Sequence, residues 1–97
     1  MIVHIVMFRF KQSNKADNIQ KVKEALEALP TKIDELISME VGVNFTQSER
    51  AFDLSLYSTF ASKEDLATYA VHPAHLEVVS LIKEVTEESK VVDYTKD

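Results

Sequence analysis

The chain has 97 residues, so residues 1–97 are expected to fold as a single domain. Hydrophobic residues make up 45% of the chain and charged residues 28%, a balance typical of globular rather than disordered proteins. The net charge of −5, with no cluster of Lys and Arg, argues against a nucleic-acid partner, and no apolar run approaches the roughly 20 residues of a membrane span.

The first predicted element is a strand over residues 2–10, IVHIVMFRF, because β-branched and aromatic residues dominate it. Its alternating faces are Ile2, His4, Val6, Phe8 and Phe10 on one side and Val3, Ile5, Met7 and Arg9 on the other. Both faces are largely apolar, which is typical of a strand that is covered on both sides and lies in the middle of its sheet.

A helix is predicted next, because apolar residues recur at spacings of three and four. These residues are Ile19, Val22, Leu26 and Leu29. Ser13 or Asn14 can cap the start of the helix, and Pro30 marks its end. The spacing from Thr31 to Asp34 resembles a capping box and predicts a short helical turn over residues 32–37.

Two more strands and two more helical segments follow in the pattern. Alternation predicts strands over residues 39–45 and 52–60, separated by the polar loop TQSER. A capping box that begins at Ser62 predicts a helix containing LATYA. Pro73 then predicts the first turn of a further helix, and KVVDY predicts a last strand over residues 90–94.

The order β-α-β-β-α-β predicts an α+β, ferredoxin-like sandwich. Such a fold has a four-stranded antiparallel sheet, with the first and third strands central and the helices on one face. The other face has no helix to cover it, and the first strand is apolar on both sides. We therefore expect a homodimer in which two sheets face each other about a two-fold axis.

The candidate chemical residues include the histidines, of which the chain has only three. His75 lies in the first turn of the last helix, four residues before Val79, so it is expected to point toward the sheet and toward His4. A neutral imidazole in a dry pocket is a candidate general base, and the structural alternative is a core histidine satisfied by a hydrogen bond. His72, at the junction of the two helices, is either a cap or a surface contact.

Tyr69 is either a core aromatic with one hydroxyl partner or a donor to a ligand oxygen. No metal is expected at the H-x-x-H pair, because a third ligand at a familiar spacing is missing and the chain has no cysteine. No cofactor is expected either, since there is no phosphate loop and Gly42 is the sole glycine. The absence of cysteine permits a reducing compartment, so we expect a cytoplasmic location.

Three stretches of the chain resemble the stress-responsive A/B barrel domain family, the dimeric α+β barrel group. They are VHIVMFRFK near the start, TYAVHPAHLEVV and VVDY, and the Tyr-x-x-His-Pro-x-His stretch from Tyr69 to His75 is the most specific. The resemblance covers essentially the whole chain. It implies a ferredoxin-like protomer and a homodimer whose sheets build a central barrel. Plant members are associated with stress tolerance, and many members have no assigned reaction.

One plant member of the family is a polyketide cyclase that closes its substrate by an aldol condensation without a cofactor. By this resemblance, His75 is the general base, Tyr69 hydrogen-bonds the substrate or steadies His75, and His4 assists from the first strand. The ligand pocket implied between sheet and helices also takes in Val6, Phe8, Val79 and His72.

Hypotheses of different classes therefore stay open. One is a small homodimeric protein of unassigned reaction that binds a small, partly apolar or polyketide-like molecule. Another is a cofactor-independent, cyclase-like or related acid–base enzyme that uses His75, Tyr69 and His4. A third is a structural stress protein that acts through assembly.

Overall fold

The computed structural model describes residues 1–97, and its elements follow the predicted βαββαβ order, with the second helical region divided in two. The elements are β1 (Ile2–Phe10), α1 (Lys15–Glu27), β2 (Ser38–Val43), β3 (Leu54–Phe60), α2 (Lys63–Ala70), α3 (Pro73–Val85) and β4 (Thr86–Thr95). A single 3-10 turn, Leu29–Thr31, follows α1. None of the three helices has both the length and the apolarity that a membrane crossing requires.

The four strands form one antiparallel sheet in the order β2-β3-β1-β4, which confirms that β1 and β3 are central. Side chains directly opposite each other in adjacent strands point to the same face of a sheet. His4 of β1 lies opposite Ser58 of β3 and Asp93 of β4, so these three residues share one face. The register thus brings together residues from the two ends of the chain.

The hydrophobic core lies between the helices and the face of the sheet that carries the even-numbered residues of β1. Its largest members from the sheet are Phe8, Phe10, Leu54, Leu56 and Phe60, and its members from α1 are Val22 and Leu26. His4 and Val6 belong to the same face of β1 but are only half-buried. The packing of helices on the sheet is therefore incomplete at this point of β1.

The opposite face of the sheet has no helix packed against it. Its exposed apolar side chains include Met7, Val92 and Tyr94, which are 41%, 57% and 43% exposed. Ile5 lies opposite Val92 in the register and is half-buried between its neighbours. A contiguous apolar patch of this kind marks an interaction surface more often than an isolated exposed residue does.

One predicted helical segment is wrong. Residues 32–37 form turns and irregular structure, and α1 ends at Glu27, before Pro30. Pro30 instead lies in the 3-10 turn, where its fixed φ angle suits a first helical turn. The hydroxyl of Thr31 donates to the carbonyl of Ala28 at 3.0 Å, so Thr31 ends the α1 region and does not cap a new helix.

The predicted strand boundaries also need correction. β2 ends at Val43 and β3 begins at Leu54, so Phe45 lies in the loop and is 96% exposed. Asp53 explains why β3 begins at Leu54. Its backbone N–H donates to the carbonyl of Phe8, and its carboxylate accepts from the N–H of Phe10, both at 2.8 Å. β4 begins at Thr86 and is longer than the predicted strand over residues 90–94.

Candidate functional site

The junction of α2 and α3 gives two imidazoles opposite hydrogen-bonding roles. His72 is the N-cap of α3, and its Nδ1 accepts from the backbone N–H of Ala74 at 3.1 Å. The Nδ1 of His75 lies 3.0 Å from the carbonyl oxygen of Ala70, the last residue of α2. A carbonyl oxygen can only accept, so Nδ1 of His75 carries the proton and its Nε2 is unprotonated in the neutral ring.

The local sequence explains why both imidazoles bond to backbone groups at the ends of helices. The last carbonyls of a helix and the first N–H groups of the next lack intrahelical partners. Pro73 fits the first position of α3 because its missing N–H would be unpaired there anyway. The side chain of His72 accepts from an otherwise unpaired N–H at the start of α3. His75, in the first turn of α3, donates to the last carbonyl of α2.

Tyr69 packs behind His75. The centroids of the two rings are 4.2 Å apart with planes inclined by 35°, and the Tyr69 ring lies 6.4 Å from that of His4. The Tyr69 side chain is 1% exposed, and its hydroxyl has no hydrogen-bond partner. Burial raises the pKa of this hydroxyl, so it stays a donor. A buried donor without a partner costs about 1–3 kcal/mol, which a water or a ligand oxygen can offset.

Asp93 of β4 holds His4 from the side of the sheet edge. The Nδ1 of His4 is hydrogen-bonded to the carboxylate of Asp93. Because an ionised carboxylate only accepts, the ring donates from Nδ1 and its Nε2 points away from Asp93. The sequence pointed to His4 but not to Asp93, because no spacing along the chain relates two residues that only the pairing of β1 with β4 brings together.

A cavity of about 220 Å³ lies between the sheet and α3, and both His4 and His75 line it. Most of the remaining lining is apolar: Val6, Phe8, Leu26, Leu56, Val79 and Ile82. The structure thus brings His4, His75, Val6, Phe8 and Val79 together around one hollow. The other two residues singled out in the sequence do not line the cavity: Tyr69 stacks behind His75, and His72 caps α3.

The environment of the cavity changes the acidity of His75. Burial lowers the pKa of the imidazole from its ordinary value of 6.5, and the neighbouring His4 and His72 lower it further, while the bond to the Ala70 carbonyl raises it. The net effect is a lowered pKa, so the ring is neutral at pH 7. A half-buried neutral imidazole with a free Nε2 can accept a hydrogen bond or a proton from a molecule in the cavity.

A larger groove of about 620 Å³ lies at the far end of β1, beside the loop between β2 and β3. Two of its charged groups already have structural partners, since Lys15 pairs with Asp53 at 3.4 Å and Asp53 also holds the backbone of Phe10. No histidine lines this groove. The smaller cavity is therefore the candidate site. No three or more His, Cys, Asp or Glu side chains converge anywhere in a geometry that could hold a metal ion.

The chain belongs to the stress-responsive A/B barrel domain family, which it matches over residues 2–96. It is 32% identical over 99 residues to a stress-response A/B barrel domain-containing protein of Arabidopsis thaliana. That alignment covers 100% of this chain and 37% of the plant protein, so the chain spans little more than a third of that relative's length.

Solved structures confirm the ferredoxin-like α+β fold. A dimeric protein of unknown function from Bacteroides fragilis, with a ferredoxin-like fold, superposes with a TM-score of 0.88 at 35% identity, covering 96% of this chain and 93% of that one. Hydroxynitrile lyase from Passiflora edulis superposes with a TM-score of 0.87 at 21% identity, covering 99% and 93%. At that identity, the second likeness shows the fold alone.

We expect the His75 imidazole to titrate below its ordinary pKa of 6.5, because burial disfavours the charged ring. NMR titration of the ring protons measures this directly. The unfolded chain then binds the proton more readily than the folded chain. The contribution of His75 to the free energy of unfolding is therefore fully present above pH 6.5 and is lost as the pH drops through the folded pKa. Urea unfolding of His75→Gln should lack this part of the pH dependence. A His75 pKa at or above 6.5 would contradict the buried environment described here.

Proposed function

We propose that this chain is a small homodimeric protein that binds a small, partly apolar molecule between the sheet and α3. The observation that supports this most strongly is the convergence of His4 and His75 on one otherwise mostly apolar cavity. Ligand sites of this type combine apolar walls with a few convergent polar groups. The volume of about 220 Å³ lies below the roughly 300 Å³ at which drug-sized sites begin, so the ligand is small. The cysteine-free chain suits a reducing cytoplasm.

The open face of the sheet supports the homodimer. Val92 and Tyr94 are about half exposed there, and Ile5 lies between them and β3. A second copy, related by a two-fold axis, can cover this self-complementary apolar surface. The Bacteroides fragilis relative, at 35% identity, is described as dimeric. The proposed cavity lies on the opposite face of the sheet, so a dimer of this kind leaves it available.

We expect the protein to sediment at about twice its protomer mass of 11.0 kDa and Val92→Glu to sediment as a monomer. Val92 is 57% exposed in the protomer, so the substitution should leave the fold intact while placing a charge in the covered face. Val91→Glu is the matched control, because Val91 is 58% exposed on the same strand but faces the other side of the sheet. Analytical ultracentrifugation measures the mass in solution, and circular dichroism checks that each variant is folded. A wild-type protein of 11 kDa at micromolar concentration, or a dimeric Val92→Glu, would refute the open-face dimer.

For ligand binding, we expect 2-octanone, a probe with an apolar body and one carbonyl, to perturb the NMR signals of His75 and Val6. Val79→Phe places a ring in the cavity and should weaken this binding about tenfold or more, because the probe and the new side chain compete for the same volume. Val71→Phe is the control, since Val71 is 70% exposed outside the cavity. Binding that persists unchanged in Val79→Phe would place the site elsewhere.

The second candidate function is acid–base catalysis at the same cavity. The specific observation in its favour is the unprotonated Nε2 of His75 in the cavity wall, on an imidazole held by the Ala70 carbonyl and by the stacked ring of Tyr69. In the proposed step, Nε2 takes a proton from the carbon next to a carbonyl, and the electron pair of that C–H bond forms an enolate. Tyr69, which stacks behind the imidazole and does not line the cavity, holds the base in place during this transfer.

This chemistry predicts that the protein exchanges the α-protons of 2-octanone for deuterium in D₂O, followed by proton NMR. His75→Gln should slow the exchange by about 10²–10⁴-fold, the usual contribution of a positioned base. His72→Asn is the control, because asparagine preserves the N-cap of α3 while removing the other imidazole of the motif. Equal exchange rates in wild type and His75→Gln, with retained binding, would leave the protein a binding module.

A further inference from the structure

The cavity has two different polar ends. The N–H of Lys11, just after β1, donates to the carbonyl of Val85 at the end of α3 at 2.9 Å, while His4 and His75 line the cavity near the starts of β1 and α3. The helix and the strand therefore run side by side in the same direction. The helical rise from His75 to Lys83, which also lines the cavity, is about 12 Å. One end thus carries imidazoles and the other an ammonium.

The side chain of Lys83 has no bonding partner within the chain. Its side chain takes part in no ion pair and in no hydrogen bond, although Lys83 lines the mostly apolar cavity. Ser89 faces the same end from β4, opposite Phe8, and its hydroxyl also forms no side-chain hydrogen bond. Both residues are exposed at the rim of the cavity, and an ammonium and a hydroxyl are donors from which a carboxylate can accept.

No acidic residue lines the cavity at this end. Glu88 pairs with Arg9 and Lys90 on the open face of the sheet. Glu87 lies where the register between β1 and β4 shifts, and it lines the larger groove instead of the cavity. The backbone carbonyl of Glu84 holds the ammonium of Lys11 at 3.0 Å, which brings a second cation to the end of α3. Two lysine ammonium groups, those of Lys83 and Lys11, therefore belong to this end of α3.

Lys83 also has a purely structural explanation. It lies in the last turn of α3, where a cation interacts favourably with the negative end of the helix dipole. That role makes no use of the cavity and gives no preference among ligands. A test must therefore measure ligand preference and not stability.

We infer, building on the proposed binding function, that the ligand is a small amphipathic carboxylate that spans the cavity. Its carboxylate accepts hydrogen bonds from Lys83 and Ser89, and its apolar body lies against Val6 and Val79. A hydroxyl at its other end donates to Nε2 of His75. The two ends fix the ligand's orientation, so its reactive end faces the unprotonated Nε2.

Two probes that differ at one end test this: 8-hydroxyoctanoate and octane-1,8-diol, whose length suits the separation of about 12 Å. Isothermal titration calorimetry at low salt should show the carboxylate binding about fivefold to tenfold more tightly than the diol, as expected for a charge-assisted hydrogen bond at a partly exposed site. Lys83→Met should abolish this preference, and Lys83→Arg should retain it.

Lys63→Met is the charge-matched control. Lys63 is exposed, forms no ion pair and begins α2, shortly after the end of β3 that pairs with Ile2 and away from the Lys83 end. It should keep the wild-type preference. A preference that survives in Lys83→Met, or is absent from the wild type while both probes bind, overturns the assignment of Lys83 but leaves the proposed binding function standing. Failure of both probes to bind contradicts both.

Discussion

The hydrogen bond between Nδ1 of His75 and the carbonyl oxygen of Ala70 determines what the site can do. It ties the first turn of α3 to the last residue of α2, so the ring has little freedom to rotate toward solvent. It also assigns the proton to Nδ1, which leaves Nε2 as the acceptor. The stacked ring of Tyr69 supports the same orientation from behind. Both proposed functions, binding and proton transfer, depend on this one orientation of the imidazole.

The sheet supplies the other half of the site and separates it from the surface proposed for dimerisation. His4 and Val6 are half-buried on the helix side of β1, whereas Phe8 and Phe10 on the same side are buried. The hollow exists because the helices leave this part of β1 incompletely covered. The alternate residues of β1 point the other way, toward the open face. Period-two alternation in a central strand therefore lets one element serve a cavity and an interface at once.

Much of this arrangement could be predicted from local patterns in the sequence. The alternation of β1, the capping box at Ser62 and the helix start at Pro73 are decided by residues close together in the chain, and the structure confirms all three. The short helix expected over residues 32–37 fails because Thr31 uses its hydroxyl to close the preceding turn. The roles of Asp93 and Lys83 could not be predicted, for a different reason. Their contacts depend on the register of β4 with β1 and on the direction of α3 along the sheet, and single-sequence periodicity contains neither.

The most direct test of the central claim is the protonation pattern of His75 itself. Long-range ¹H–¹⁵N NMR of the imidazole at pH 7 distinguishes a protonated from an unprotonated ring nitrogen. We expect the neutral ring with its proton on Nδ1 and an unprotonated Nε2, because the Ala70 carbonyl accepts from Nδ1 and burial keeps the ring uncharged. A ring protonated at Nε2, or one protonated at both nitrogens, would mean that His75 is not held as described and cannot act as the base in the cavity.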